Sequence, residues 1–375
     1  MYEGMTLIDA HTHMYHTGDV ENITRPLAYD QSRLDAVNIL SMSQYDEPFM
    51  AQNIMVMLAK ARYPGKCFTF GGLHHVLPGA GAGDKDLGRQ VRVLIEAGCD
   101  GIKMLEGKPT ARKRLGLRLN DPVFDGFYDF MQSQGRPILS HSCDPMVCWD
   151  KQNCPEGFRK MGYFYADDPF LDHKAIRAEV SSVLKKFPRL KMILAHFYLI
   201  SGDIDAARRF LDEHPNALVD LTPGGEMYVD FAKNPGIWRK FFTAYQDRIV
   251  LGTDNSYPDV EPLYPNLEGK IVDHRKGRKL NLILKFLATD QTDTLFEDDD
   301  IRGLALERPA VEKIIGGNFQ RIVGKAPLPL KPVRCMEYAR WILEFAKRSE
   351  QSQAILADLE PAMAGLQKLW NPSGK

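Results

Sequence analysis

Short runs of apolar and β-branched residues alternate along most of the chain with stretches whose apolar positions recur every three to four residues. That alternation is the pattern of a parallel sheet with crossover helices. Residues 6–13 read as a first strand and 34–41 as a second, followed by a helical stretch around 49–62. A third strand is predicted at 67–74, and a helix at 87–97 leads through Gly98 to a fourth strand at 101–105. A helix over 123–133 ends at Gly135, and 137–140 begins the fifth strand. Three further strands fall at 191–196, 217–221 and 248–252, preceded by helices at 173–187, 204–214 and 237–245. Residues 280–288 supply the eighth helix. Eight strand-like runs, each followed by a helical pattern, predict an α/β chain folded as a (β/α)8 TIM barrel rather than an open doubly wound sheet.

Two features exceed a minimal barrel. The connection over 143–172 is long and carries Trp149, Tyr163, Phe164 and Tyr165, as expected of a lid, a binding loop or a locally structured segment. Past Gly324, the run Pro-Leu-Pro-Leu-Lys-Pro at 327–332 is a stiff spacer. Beyond it Trp341, Ile342 and Phe345, then Ile355, Leu359, Met363, Leu366 and Trp370, follow helical spacing. The expected organisation is therefore a barrel over 1–325 and a C-terminal helical extension over 326–375, docked on the barrel or on a second subunit of a homo-oligomer.

Composition narrows the class. With 48 Lys+Arg against 49 Asp+Glu, the 375-residue chain carries a net charge of −1, so no global field recruits nucleic acid or anionic membrane. The longest nearly apolar stretch, 190–200, is too short to span a bilayer and contains Lys191 and His196. The first residues lack the charged and apolar regions of a secretion signal. Six Cys do not make a disulfide scaffold, and the spacing of Cys143, Cys148 and Cys154 lacks the signature of a zinc ribbon. These features leave a cytoplasmic globular enzyme or binding protein.

The chemistry concentrates at strand ends. In Asp9-Ala-His-Thr-His13 the two imidazoles are two apart on a strand, share a face, and can take one cation from the same side. Alone the pair is a weak signal, since a half-buried strand often holds two satisfied histidines. It is accompanied, however, by His141 at the end of the fifth strand, His196 at the end of the sixth and Asp254 at the end of the eighth. In a barrel these ends converge on one rim, where active sites sit. Four His and one Asp placed this way predict a metal site. A divalent ion there lowers the pKa of a water to roughly 7 and polarises a carbonyl, while an adjacent Asp or His moves a proton.

The set Asp9-Ala-His-Thr-His13, Gly101-Ile-Lys103, His141, Leu194-Ala-His196 and Gly252-Thr-Asp254 resembles the amidohydrolase superfamily. It is most similar to the amidohydrolase-2 branch that includes relatives of aminocarboxymuconate-semialdehyde decarboxylase. Gly316-Gly-Asn318 is similar to the turn opening that branch's closing helix, and the likeness runs from about 6 to 324. The resemblance implies a (β/α)8 barrel with one or two divalent ions at its rim, Zn2+ foremost, with Mn2+, Fe2+ or Ni2+ as alternatives. In the one-ion form, which is favoured here, His11, His13, His141 and Asp254 hold the metal and His196 is the acid/base or substrate-polarising group. In the two-ion form a carboxylated Lys103 bridges the ions, and His141 and His196 bind the second. Lys103 has two other readings: a cation for a substrate carboxylate, or a buried lysine paired with Glu106.

The function expected is hydrolysis of an amide, ester or lactone bond in a small molecule by metal-activated water, with His196 and Asp254 catalytic. The alternatives are non-oxidative decarboxylation or hydration of a small carboxylate, and a non-catalytic barrel, which filled ligand positions disfavour. Barrel nucleases sharing His-x-His place a Glu on strand four, where this chain has Lys103. His74 or His75, adjacent and facing opposite ways, supplies at most one pocket residue; Tyr257 is a further candidate wall. Basic clusters at Lys108, Arg112, Lys113, Arg114 and Arg118, and at 270–279 including Arg275, follow strands four and eight. Both begin at the same rim, which points to an anionic substrate gripped by Arg112, Arg114 or Arg275.

Overall fold

A computed structural model describes residues 2–20, 34–42, 49–75, 87–224, 226–257, 278–294 and 300–371. Eight parallel strands form its centre. Strand β1 (Ile8–Met14) pairs with β2 (Ala36–Leu40), and pairing follows chain order through β3 (Cys67–Gly72), β4 (Gly101–Gly107), β5 (Ile138–Ser142), β6 (Met192–Leu194), β7 (Ala217–Asp220) and β8 (Ile249–Val250). The chain running on from β8 forms β9 (Asn255–Tyr257), which pairs in parallel with the free edge of β1, Thr12 opposite Asn255. The eighth strand is thus broken in two, one part bonded to β7 and the other to β1, and the break closes the ring as the eight βα units predict.

The crossover helices are α1 (Gln52–Arg62), α2 (Leu87–Ala97), α3 (Pro109–Leu115), α4 (Asp125–Gln134), α5 (Glu156–Lys160), α6 (His173–Lys186), α7 (Ile204–Glu213), α8 (Met227–Lys233), α9 (Pro235–Ala244) and α10 (Arg278–Ala288). Local chemistry sets their ends. The Asp172 and Asp203 side chains accept from the N–H groups of Ala175 and Ala206 to start α6 and α7. Beyond α10 come a hairpin of β10 (Thr292–Thr294) and β11 (Asp300–Arg302), then α11 (Arg308–Glu312) and α12 (Asn318–Ile322).

Alternation along the strands divides the apolar residues into two layers. Ile8, Ala10, Phe68, Phe70, Leu139, Ile193, Leu218 and Val250 form one cluster with Phe319, Ile322 and Val323 at the end of α12, the ring of Phe319 standing 5.1 Å from that of Phe68. Their strand neighbours Val37, Ile102, Met192, Leu194 and Val219 join the larger cluster shared with the helices. In β1 the alternation is interrupted by a register irregularity between Asp9 and Thr12. Simple counting from Ala10 would turn His11 outward; the irregularity turns it in.

The C-terminal extension folds as α13 (Pro332–Ala346) and α14 (Ser352–Trp370). Its apolar faces, including Cys335, Ile342, Ile355, Leu359 and Leu366, belong to the same core cluster as Leu58 of α1 and Leu94 of α2. The extension therefore docks on its own barrel. The long connection after β5 is locally structured: Cys148, Tyr165 and Leu171 form a small core of their own, packed by Trp149, and the Trp149 indole donates to the Leu171 carbonyl at 2.8 Å. All six cysteines are buried free thiols. Among the described residues no helix is long and apolar enough to cross a membrane.

Candidate metal centre

Three donor atoms meet at the C-terminal rim. His11 Nε2 and His13 Nε2 lie 3.1 Å apart, and Asp254 Oδ1 is 3.5 Å from the first and 3.3 Å from the second. Donors of these three residues all lie within 4.8 Å of one another. Two neutral imidazole lone pairs facing at that distance repel unless a cation or a proton stands between them, so the triangle fits a divalent ion. The chain is shaped around it. Asp9 welds β1 to the break in the eighth strand, accepting from the N–H groups of His11 at 3.1 Å and Thr253 at 3.0 Å and from the Thr253 hydroxyl at 2.6 Å. Gly252 leaves room for this approach: a Cβ there would lie 2.6 Å from Thr222 Oγ1 and 2.8 Å from His11 Cβ. Two residues on, Asp254 takes a left-handed backbone, φ 54°, which re-aims its carboxylate.

The other two histidines stand beside this triangle. The His196 ring lies 5.8 Å from that of His11 and 4.7 Å from that of His141, the latter edge to face. His196 opens a turn of four consecutive non-glycine residues with φ between 52° and 56° (His196, Phe197, Tyr198 and Leu199). Left-handed backbone costs about 1–2 kcal/mol per residue. The turn is held by packing: Phe197 is enclosed by the rings of Phe231, Trp238, Phe241 and Phe242. His196 Nδ1 meets the Thr222 carbonyl at 3.2 Å. His141 Nε2 lies 3.5 Å from Asp144 Oδ1, and Asp144 is pinned by Lys108 Nζ and by the Tyr165 hydroxyl, both at 2.7 Å.

Burial governs the electrostatics. It pushes the imidazoles of His11 and His141 well below their ordinary value and lowers His196, with the charge of Lys103 adding to the effect on His11. All three are neutral, the form that ligates or accepts a proton. Burial alone would raise Asp254; the imidazoles of His13 and His11 beside it hold it well below the usual carboxylate range. Lys103 is 1% exposed, 3.3 Å from His11 Nε2, and burial brings its ammonium down to about 8 against the pull of Asp254 and Asp220.

Several expected positions shift. His196 lies two residues past β6 and Asp254 four past β8, so neither is the last residue of a hydrogen-bonded strand. Neither His141 nor His196 belongs to the set of donors within 4.8 Å. Glu106 pairs with His75 at 2.6 Å and not with Lys103. His74, expected as a pocket residue, is buried against the C-terminal extension, with Nε2 bonded to the Tyr338 hydroxyl and its ring beside Trp341. Arg112 is likewise engaged by the protein itself. It is 1% exposed and grips Glu179 with both terminal nitrogens, at 2.5 and 2.8 Å, a structural clamp between α3 and α6. Arg114 is exposed on α3. Of the two basic clusters, Lys108 reaches the rim beside His141, and Lys279 donates to the Asp254 carbonyl at 3.1 Å. The side chain of Tyr257, and Arg275 with residues 270–277, lie outside the described residues.

Asp220 was not anticipated. Fully buried at the end of β7, it contacts His11 Nδ1 through Oδ2 at 2.8 Å, while Oδ1 accepts from the N–H groups of His196 at 2.8 Å and Thr222 at 3.1 Å. A signal existed in Ala217-Leu-Val-Asp220, a polar residue ending an apolar strand.

A closed parallel barrel with imidazole and carboxylate donors converging on its C-terminal rim defines a class of barrel that could hold a metal ion there. The family model described as Amidohydrolase matches residues 8–325, and the chain belongs to that family. Comparison with curated protein sequences gives no match. Among solved structures, the chain is similar to a 4-oxalomesaconate hydratase from Rhodopseudomonas palustris at 14% identity, covering 90% of this chain and 100% of that one with a TM-score of 0.49. It is also similar to a 5-carboxyvanillate decarboxylase from Sphingomonas paucimobilis, at 12% identity over 85% of this chain and 99% of that one, TM-score 0.48. A dihydroxybenzoic acid decarboxylase from Polaromonas, solved with manganese and 2-nitroresorcinol, matches at 13% identity over 85% and 97% with a TM-score of 0.45.

Proposed function

We propose that this chain is a metal-dependent hydrolase of a small molecule bearing an amide, ester or lactone bond, with one divalent ion held by His11, His13 and Asp254 and completed by His141. The observation that carries the reading is the convergence of three donor atoms within 4.8 Å at the rim of the barrel. Two imidazoles and a carboxylate suit Zn2+, with Mn2+ next. Such an ion supplies a polarising positive charge and water of lowered pKa. The protein's own part is proton handling and orientation. His196 is neutral, its Nδ1 faces the Thr222 carbonyl, and Nε2 is left to accept and return a proton. Lys103, buried beside His11, faces an anionic group of the substrate. The same lysine favours a second reading, decarboxylation or hydration of a small carboxylate, because a buried ammonium beside the centre suits a substrate that brings its own negative charge.

The test begins with elemental analysis of protein purified without chelators, where about one equivalent of Zn2+ or Mn2+ per chain is expected. The double variant His11→Ala/His13→Ala should lose the metal and all measurable turnover while keeping its circular dichroism spectrum, since the ligands lie at a rim and not in the core. A double variant retaining metal and activity overturns the reading. Product analysis on a panel of amides, lactones and aromatic carboxylates separates the two chemistries: CO2 release or water addition to a double bond replaces hydrolysis by the second reading.

A further inference from the structure

We propose that Asp220 is a positioning residue that fixes the tautomer of His11, placing its proton on Nδ1 and leaving Nε2 with its lone pair toward His13 and Asp254. The inference rests on the metal-binding reading of that cluster and assigns strand seven a part in it. A carboxylate offers acceptors alone, so the proton in its 2.8 Å contact with His11 Nδ1 belongs to the imidazole. Asp220 has no freedom to do otherwise. It is 0% exposed, and its second oxygen is committed to the backbone N–H groups of His196 and Thr222. The same segment treats His196 alike: the Thr222 carbonyl faces His196 Nδ1 at 3.2 Å, which directs that proton to Nδ1 as well. The Thr222 hydroxyl, 3.1 Å from His11 Nδ1, completes the cradle. One short strand end thus sets the free nitrogens of two histidines, one from β1 and one from beyond β6.

The geometry makes an isosteric substitution more revealing than a truncation. In Asp220→Asn the amide oxygen has to remain on the two backbone N–H groups, so the NH2 faces His11 Nδ1 and donates to it. The imidazole proton is then driven to Nε2, the nitrogen that would ligate. A packing role predicts that Asn is tolerated better than Ala; the tautomer lock predicts that Asp220→Asn is at least as defective as Asp220→Ala.

The experiment uses the full chain labelled with 15N-histidine. In metal-free protein, long-range 15N–1H spectra report which ring nitrogen carries the proton, and His11→Ala assigns the resonance. The expected result is Nδ1–H for His11 in the wild type and Nε2–H in Asp220→Asn. Calorimetric titration with Zn2+ should show Asp220→Asn binding roughly 10–100-fold more weakly than wild type, the range for loss of a partner orienting a metal-binding histidine. An Nε2–H signal for His11 in the wild type overturns the proposal, as does an Asp220→Asn protein with unchanged tautomer and Zn2+ affinity. If Asp220→Asn fails to fold, the wild-type spectrum alone decides. A wild type showing Nδ1–H but no affinity for Zn2+ or Mn2+ supports the lock and sinks the metal reading instead.

Discussion

Among the described residues Lys60 and Lys103 are the two most deeply buried lysines, at 3% and 1% exposure, and they are used in opposite ways. Lys60, on α1, gives its ammonium to Asp100 Oδ2 at 2.6 Å and to the Gly98 carbonyl at 2.7 Å. Asp100 is saturated in turn, accepting from the N–H groups of Thr69 at 2.8 Å and Leu328 at 2.7 Å. Lys103 has a 3.3 Å contact to an imidazole nitrogen instead. Around it the polar groups are less completely paired: His13 Nδ1 is buried without a hydrogen-bond partner, and His141 Nε2 has only a 3.5 Å approach to Asp144. Burial penalises both clusters alike, so the difference lies in how completely each pairs its polar atoms. A saturated buried cluster fixes structure, here tying the segment before α13 to the foot of β4; an unsaturated one is held ready for something that binds.

Breaking the saturated cluster should give the largest effect on folding. Asp100→Ala leaves the Lys60 ammonium uncompensated and frees the Leu328 N–H, for an expected loss of about 3–5 kcal/mol in chemical denaturation. Zn2+ content per folded chain should not change. An equal fall in metal content and stability would mean that the two ends of the barrel are not separable. Arg112→Gln extends the comparison to an arginine expected on sequence alone to grip substrate. It should cost about 3 kcal/mol of stability through the loss of Glu179's bidentate partner, with KM for carboxylate substrates unchanged. A raised KM with intact stability restores Arg112 to the pocket.

These contrasts also mark what the sequence could carry. Strand order, ring closure and the convergence of His11, His13 and Asp254 follow from apolar runs punctuated by polar residues, because a βα repeat leaves one way to close. Helices 87–97 and 204–214 fall within a residue of those observed, the first from its apolar spacing and the second from that and the Asp203 cap. Pairing between distant side chains is not written locally. A run such as Lys108 to Arg118 looks the same whether its arginines face solvent or, as with Arg112, a glutamate far along the chain. His74 is similar: its partner Tyr338 lies on the extension, and strand position alone points it toward the rim. Asp220 escaped because an aspartate after three apolar residues reads equally well as a turn.

At the unsaturated cluster, His196→Asn keeps shape and removes the titratable nitrogen. The kcat should fall by roughly 10²-fold, as for loss of an acid/base group, with melting temperature and metal content nearly intact. Metal content falling by half would instead make His196 a ligand of a second ion.

The smallest effect, and the most direct comparison of the two lysines, is the pH dependence of metal-free protein. Burial brings the folded Lys103 ammonium down to about 8 from its ordinary 10.5. Asp254, Asp220 and Glu106 favour its charge, and Lys108 opposes it. Below pH 8 the lysine is protonated in folded and unfolded chains alike, and the burial penalty is fully present. Between 8 and 10.5 the unfolded chain holds a proton that the folded one has released, so stability rises with pH across that window. The full shift is worth at most about 3 kcal/mol, and relaxation of the surroundings reduces the expected gain to about 1–2 kcal/mol. Lys103→Met should remove this gain. The difference in unfolding free energy between Lys103→Met and wild type should therefore favour the variant at pH 7 and shrink toward pH 10. A difference that stays constant from pH 7 to 10 would mean that burial leaves the Lys103 ammonium undepressed.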